Sequence, residues 1–154
     1  MAQKEKPVLI NLLATARYDQ TPDYPIQFMT RGMLSLLPDG NAVIRYTESL
    51  RDDDTGETMT AQISLRMAGN RVTMTRQGDV TNTMVFVPRQ RFEGVYQTPY
   101  GDMNMGVYAR NVDCRIGPDS GSVHLKYQID LQGSYTSSNE LHLEYTAERK
   151  GKAQ

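Results

Sequence analysis

Tryptophan is absent, and cysteine and histidine are nearly so: one thiol, Cys114, and two imidazoles, His124 and His142, stand in 154 residues. A lone thiol builds no disulfide framework and cannot supply the clustered ligands of a structural zinc site. The fold must therefore rest on an ordinary apolar core. No run approaches the roughly 18 consecutive apolar residues of a membrane span. The most apolar stretch near the start, Val8-Leu9-Ile10-Asn11-Leu12-Leu13, is too short for a signal-peptide core and is not followed by a small-residue cleavage site. A cytoplasmic protein is the expectation. An excess of charge is missing as well: 17 Lys and Arg face 18 Asp and Glu, a net charge of -1. That balance removes the positive field on which non-specific nucleic-acid binding depends, so neither nucleic acid nor membrane is an expected partner. There is no G-x-S-x-G elbow, Walker loop, H-E-x-x-H pair or dinucleotide fingerprint. Nothing argues for an enzyme, a metal or a cofactor.

What the chain does have is period-two alternation almost throughout. From Met59 to Met67 every odd position is apolar and every even one polar, and Ser122 to Gln132 alternates as completely, which is the signature of one buried and one wet sheet face. Leu141-His142-Leu143-Glu144-Tyr145 repeats the pattern more briefly. Segments 7–17, 26–37, 42–50, 71–77, 80–87, 92–97 and 101–115 also read as strands. Between them lie turns with recognisable chemistry: Pro38-Asp39-Gly40-Asn41, Asp54-Thr55-Gly56, Ala68-Gly69-Asn70, Gln77-Gly78-Asp79, Thr98-Pro99-Tyr100-Gly101 and Gly117-Pro118-Asp119-Ser120-Gly121. Short turns imply antiparallel neighbours, and about ten strands in one small domain favour a closed meander or a two-layer sandwich over an open sheet with exposed edges. No segment carries a helical apolar stripe. Segment 18–25, with two prolines, reads as a long loop across one end, and residues 1–6 and 148–154 are expected to fray around a single domain with its core at about 7–147.

The phase of the alternation selects candidate residues. If Ile44 and Leu65 point inward, Tyr46 and Glu48 follow Ile44, and Arg76 follows Val72 and Met74. A carboxylate and a guanidinium then enter the interior from strands separated by one other, a gap of roughly 10 Å that the two side chains can close. Burying either alone is costly, so they are expected to meet each other, a tyrosine hydroxyl or a ligand. Met59, Met67, Met74, Met84, Met103 and Met105 share the inward phase. They serve equally as core filler or as an adaptable apolar lining. Tyr96, Tyr100, Tyr127 and Tyr145 can bury a ring while offering a hydroxyl.

Other groups have plainer readings. Asp52-Asp53-Asp54-Thr55-Gly56-Glu57 lacks calcium-loop spacing and reads as a solvated hairpin tip. His124 and His142 fall on the outward phase; if Leu131 pairs near Leu141, they lie roughly 20 Å apart and cannot share a metal. Arg89-Gln90-Arg91-Phe92, with Arg110 and Arg115, marks either a local patch for an anionic partner or charged protection of strand edges.

On the motifs Tyr46-Thr47-Glu48-Ser49, Arg76-Gln77-Gly78, Met84-Val85-Phe86, Gly94-Val95-Tyr96-Gln97-Thr98-Pro99-Tyr100-Gly101 and Leu125-Lys126-Tyr127-Gln128-Ile129-Asp130-Leu131, the chain resembles the YwiB-like family of bacterial proteins of unknown function. The resemblance covers about residues 7–147. It implies an all-β fold, a single antiparallel closed barrel of eight to ten strands of lipocalin-like, calycin type, and it implies no activity. Tyr46, Glu48, Arg76, Tyr96, Thr98, Tyr100 and Tyr127 fall in the matching motifs and are the ligand-binding candidates. The leading expectation is a non-enzymatic barrel holding a small amphiphilic or anionic ligand in its interior or mouth. A filled barrel acting as an interaction module or homodimer is the alternative, and an enzyme using Glu48 as general acid or base beside Arg76 is the third.

Overall fold

The computed structural model describes residues 4–18, 24–51, 55–99 and 101–148. Ten strands follow one another: β1 (Lys4–Tyr18), β2 (Tyr24–Leu36), β3 (Ala42–Arg51), β4 (Thr58–Ala68), β5 (Arg71–Gly78), β6 (Asn82–Phe86), β7 (Arg91–Thr98), β8 (Gly101–Ile116), β9 (Ser120–Leu131) and β10 (Ser134–Ala147). Among the described residues there is no helix, and so none long and apolar enough to cross a membrane.

Every ladder is antiparallel, and the sheet order is β6-β5-β4-β3-β2-β1-β10-β9-β8-β7. Pairing of β1 with β10, Val8 opposite Ala147 through Tyr18 opposite Ser137, brings the two chain ends together inside the sheet. The free edges, β6 and β7, are consecutive in sequence and meet at an isolated bridge, Thr81 with Gln97, whose two backbone hydrogen bonds are both 3.0 Å. The result is a nearly closed ten-stranded meander, which removes the sandwich and all but one seam of exposed edge.

Alternation sends one residue in two to a common interior. Val8, Ile10, Leu34, Ile44, Leu65, Met67, Val72, Phe86, Leu125 and Leu143 are fully buried there, each such side chain stabilising the fold by about 1.5–3 kcal/mol. The end of the barrel at which β1 begins and β10 ends is filled. Its plug is Tyr145, which is cross-strand from Gly121 and whose hydroxyl accepts from the Gly117 N–H at 3.0 Å and donates to the Gly117 carbonyl at 2.8 Å. The ring lies where a Cβ at position 121 would stand, against Tyr145 Oη and the Arg115 carbonyl.

Several expectations are revised. Residues 4–6, expected to fray, pair with Leu34 to Leu36. Strand β10 begins at Ser134, seven residues before the alternation becomes visible. Gln132 and Gly133, at φ of 53° and 83°, make a tight turn directly after Leu131, as type I′ hairpins require. Leu131 therefore pairs with Ser134, and after a bulge between Tyr135 and Ser137 the register places His142 directly opposite His124. Their ring centroids are 5.0 Å apart, so the expected separation was wrong. Met59, expected inward, is 41% exposed at the start of β4. Of the expected loop 18–25, residues 19–23 lie outside the described residues, while Tyr18 ends β1 and Tyr24 and Pro25 open β2, paired with Ala16 and Thr15; of hairpin tip 52–57, residues 52–54 lie outside them and 55–57 are exposed.

On the outer wall Arg91 of β7 reaches over β8 to Asp130 of β9 in a two-pronged contact, Nη1 to Oδ2 at 2.6 Å and Nη2 to Oδ1 at 2.9 Å, while Nε bonds Glu93 at 3.0 Å. The strand crossed contributes Gly106, where a Cβ would strike the guanidinium. Arg91 is thereby spent on edge and wall structure.

Two predictions come from this wall. Gly121→Ala forces Tyr145 or the backbone aside and should cost about 1–3 kcal/mol as an overpacking change, read from the urea midpoint. Hydrogen bonding from Arg91 holds the Asp130 carboxyl below its ordinary value of 3.8. A depressed carboxylate stabilises fully above that value and loses its contribution as pH falls through the lowered one. Asp130→Asn should therefore lower stability at neutral pH and flatten the decline below about pH 4, as measured by urea melts across pH.

Candidate functional site

The opposite end of the barrel, towards the end of β1 and the start of β2, holds a partly open cavity of about 270 Å³. Its walls are apolar side chains, Leu12, Phe28, Met74, Met84, Met105 and Leu141 among them, and its polar groups come from five strands, β3, β5, β6, β7 and β9. One sheet row carries Tyr46, Ile63, Arg76 and Asn82 across β3, β4, β5 and β6; the next places Glu48 opposite Ala61. Glu48 and Arg76 thus start two strands apart, and the residue facing Glu48 from the intervening strand is an alanine, whose methyl leaves room for the pair to meet. Arg76 Nη2 lies 3.1 Å from Glu48 Oε1 and 3.2 Å from Oε2. The side chains are 17% (Glu48) and 23% (Arg76) exposed.

The polar lining is incompletely satisfied. Arg76 Nε is sealed from solvent and has no hydrogen-bond acceptor among the described residues, a deficit of about 1–3 kcal/mol for an orphaned buried donor. Asn82, buried on β6, donates from its amide to the Met105 thioether at 3.9 Å, a weak acceptor. Burial, and to a lesser degree the Glu48 charge, push the Tyr46 hydroxyl well above its ordinary value, with Arg76 opposing. Tyr46 is therefore a neutral hydroxyl with its ring 6.5 Å from Phe28. Tyr127 packs on Phe86 at 4.7 Å between centroids, and Tyr96 of β7 closes the wall beside the seam.

Of the seven candidates, Tyr46, Glu48, Arg76, Tyr96 and Tyr127 border this one space. Thr98 does not: its hydroxyl donates to the Gly101 carbonyl at 2.8 Å and shapes the β7–β8 turn. Tyr100 lies outside the described residues. Asn82 was missed, although it shares the phase of Met84 and Phe86 and could have been found from that alone. Tyr145, grouped with the other tyrosines, plugs the far end.

Chemistry elsewhere is limited. Both oxygens of Glu48 are engaged by Arg76, which leaves the carboxylate poorly placed as a general base. Burial, with help from Asp113, pushes the Cys114 thiol up to about 11, so it is protonated at neutral pH and a weak nucleophile. No group of three His, Cys, Asp or Glu among the described residues can hold a metal ion.

Together these features define an up-and-down β-barrel, filled at one end and hollow with enclosed polar groups at the other. A family model described as a domain of unknown function, DUF1934, matches residues 10–143, and the chain belongs to that family. It is similar to the solved ywiB protein from Bacillus subtilis, with 17% identity, 96% of each chain covered and a TM-score of 0.80. The resemblance read from the motifs is borne out, and at this identity the likeness speaks for the fold. A protein of unknown function from Bacteroides ovatus matches at 12% identity over 94% of this chain and 45% of that one, with a TM-score of 0.36 that carries no argument. No curated protein matches the chain.

Removing one partner of the enclosed pair leaves the other uncompensated, whereas replacing both by apolar groups does not. Glu48→Ala is expected to lose about 1–3 kcal/mol, reduced by the partial exposure from the cost at a fully buried site. The double variant Glu48→Met/Arg76→Met should recover most of it, as judged by urea unfolding of the three proteins.

Proposed function

We propose that this barrel is a binding protein for a small amphiphilic molecule held in its hollow end, a calycin-type use of the fold, in the cytoplasm. The observation that carries the reading is the coincidence, in one space, of an apolar lining with polar groups lacking good partners: Arg76 Nε, sealed and orphaned, and the Asn82 amide, left with a thioether. A ligand oxygen reached by a small shift of the Arg76 side chain would recover the orphan's cost, while methionine side chains adapt to the rest of the molecule.

Size and charge narrow the ligand. An apolar cavity of about 150 Å³ takes up benzene, so 270 Å³ suits one substituted ring or a short branched chain; a long acyl chain would not be enclosed. Glu48 already neutralises Arg76, and an anionic head group would also face that carboxylate. The favoured head is therefore neutral and hydrogen-bonding, a hydroxyl or carbonyl.

The interaction-module reading has one observation in its favour. Leu9 and Leu13 on β1 and Met29 and Met33 on β2 all face outward, 40%, 41%, 70% and 40% exposed, on diagonal positions of the paired strands, with Arg31 opposite Leu9, Gln27 opposite Leu13 and Asn11 opposite Met29. An exposed apolar strip of this kind marks contact surfaces.

Native mass spectrometry of protein purified from its own host separates the two. The proposal expects a monomer carrying a co-purified small molecule, and expects benzyl alcohol to shift methyl resonances of the cavity methionines in the emptied wild-type protein but not in Ala14→Phe, which fills the space. An empty dimer, with no benzyl alcohol response, would favour the outer strip.

A further inference from the structure

A second concave site lies on the outer wall where β1, β10, β9 and β8 run side by side, sharing only Tyr127 with the lining of the interior cavity. It is a groove of about 540 Å³, within the range of small-molecule pockets. Two β-bulges flank it, one in β8 between Ala109 and Asn111 and one in β10 between Tyr135 and Ser137. Bulges re-aim side chains and sharpen local bending. In β8 the effect is specific: Ala109 is buried and Val112 packs on the core, so the extra residue lets Arg110 and Asn111 both stand on the outer face.

The charges lining this groove are Arg17 of β1, Arg110 of β8, Lys126 of β9 and Glu140 of β10. Lys126 is directly opposite Glu140 in the ladder, the placement in which opposite charges ordinarily meet across strands. Here they do not pair. The Glu140 carboxylate is bound instead by His124 Nε2 at 2.5 Å, and neither Lys126 nor Arg110 has an acidic partner among the described residues. Cationic groups from separate strands thus line one concavity, while Glu140, the one acid among its described lining residues, is bound by His124. Thr15, Gln128 and Ser138 add polar atoms around them. A guanidinium and an ammonium lining one groove with hydroxyl and amide groups supply the kinds of donor that a phosphate accepts.

We infer that this groove binds the phosphate group of a small ligand, with Arg110 and Lys126 as its cationic contacts and His124 as a positioning residue that keeps Glu140 away from Lys126. The net charge of -1 disfavours a long polyanion, whose distant phosphates would meet no compensating field. This site accounts for Arg110, singled out in the sequence and idle in the interior; Arg91, from the same basic set, is consumed by Asp130.

Inorganic pyrophosphate, titrated into the full chain by calorimetry at low salt, tests this. Saturable one-to-one binding that weakens with added salt is expected, falling at least tenfold in Arg110→Gln/Lys126→Gln. His124→Ala should weaken binding several-fold by releasing Glu140 onto Lys126, although it removes no phosphate contact, and Glu140→Gln should tighten it. Circular dichroism verifies that each variant is folded, and Arg66→Gln, elsewhere on the surface, is the control for net charge. No binding by the wild-type protein, equal losses in Arg66→Gln and the double variant, or an unaltered affinity in both His124→Ala and Glu140→Gln would overturn the inference. So would binding confined to phosphatidic acid vesicles or single-stranded oligonucleotides.

Discussion

The interior of this barrel is organised by one ion pair laid across a strand. Glu48 and Arg76 begin on strands that do not touch, and they meet because the strand between them offers a methyl at the crossing. Had Ala61 been a leucine, the two charges would have been held apart and each would have needed another partner or solvent. The pair then dictates its surroundings. It raises polarity at one end of an otherwise apolar interior, and it leaves Arg76 Nε without an acceptor among the described residues. Hydrocarbon and thioether packing fills the other end without difficulty; at this end such packing would leave polar atoms stranded.

The same construction recurs outside. Arg91 and Asp130 span β8 over Gly106 as Glu48 and Arg76 span β4 over Ala61. In both places a small residue on the middle strand permits a charge contact between its two neighbours. The consequences differ with environment: outside, water shares the load and the contact serves the wall, while inside, each unsatisfied atom has a cost that only a rearrangement or a guest can relieve.

Most of the architecture was legible because alternation is a direct report of which face each residue occupies. Strands β4 and β9 were readable almost to the residue, and the inward phase of Tyr46, Glu48 and Arg76 followed from Ile44 and Val72. The first half of β10 was not, because Ser134-Tyr135-Thr136-Ser137-Ser138-Asn139-Glu140 is polar on both faces, and alternation cannot signal a strand whose inner face carries serine and asparagine. Missing that half moved the hairpin and separated two histidines that in fact adjoin. Thr98 and Tyr145 lie outside the cavity for another reason. Phase tells which side a residue faces but not how far along the barrel it sits, and depth distinguishes a cavity wall from a turn or a plug.

The seam gives the wall an uneven resistance to opening. Every other pair of neighbouring strands is joined by a ladder, whereas β6 and β7 are held at their cavity end by the two hydrogen bonds between Thr81 and Gln97. Asn82 and Met84 stand on one side of that join and Tyr96 on the other. The join with the fewest backbone hydrogen bonds thus lies beside the hollow, and parting the wall there breaks one bridge and no ladder.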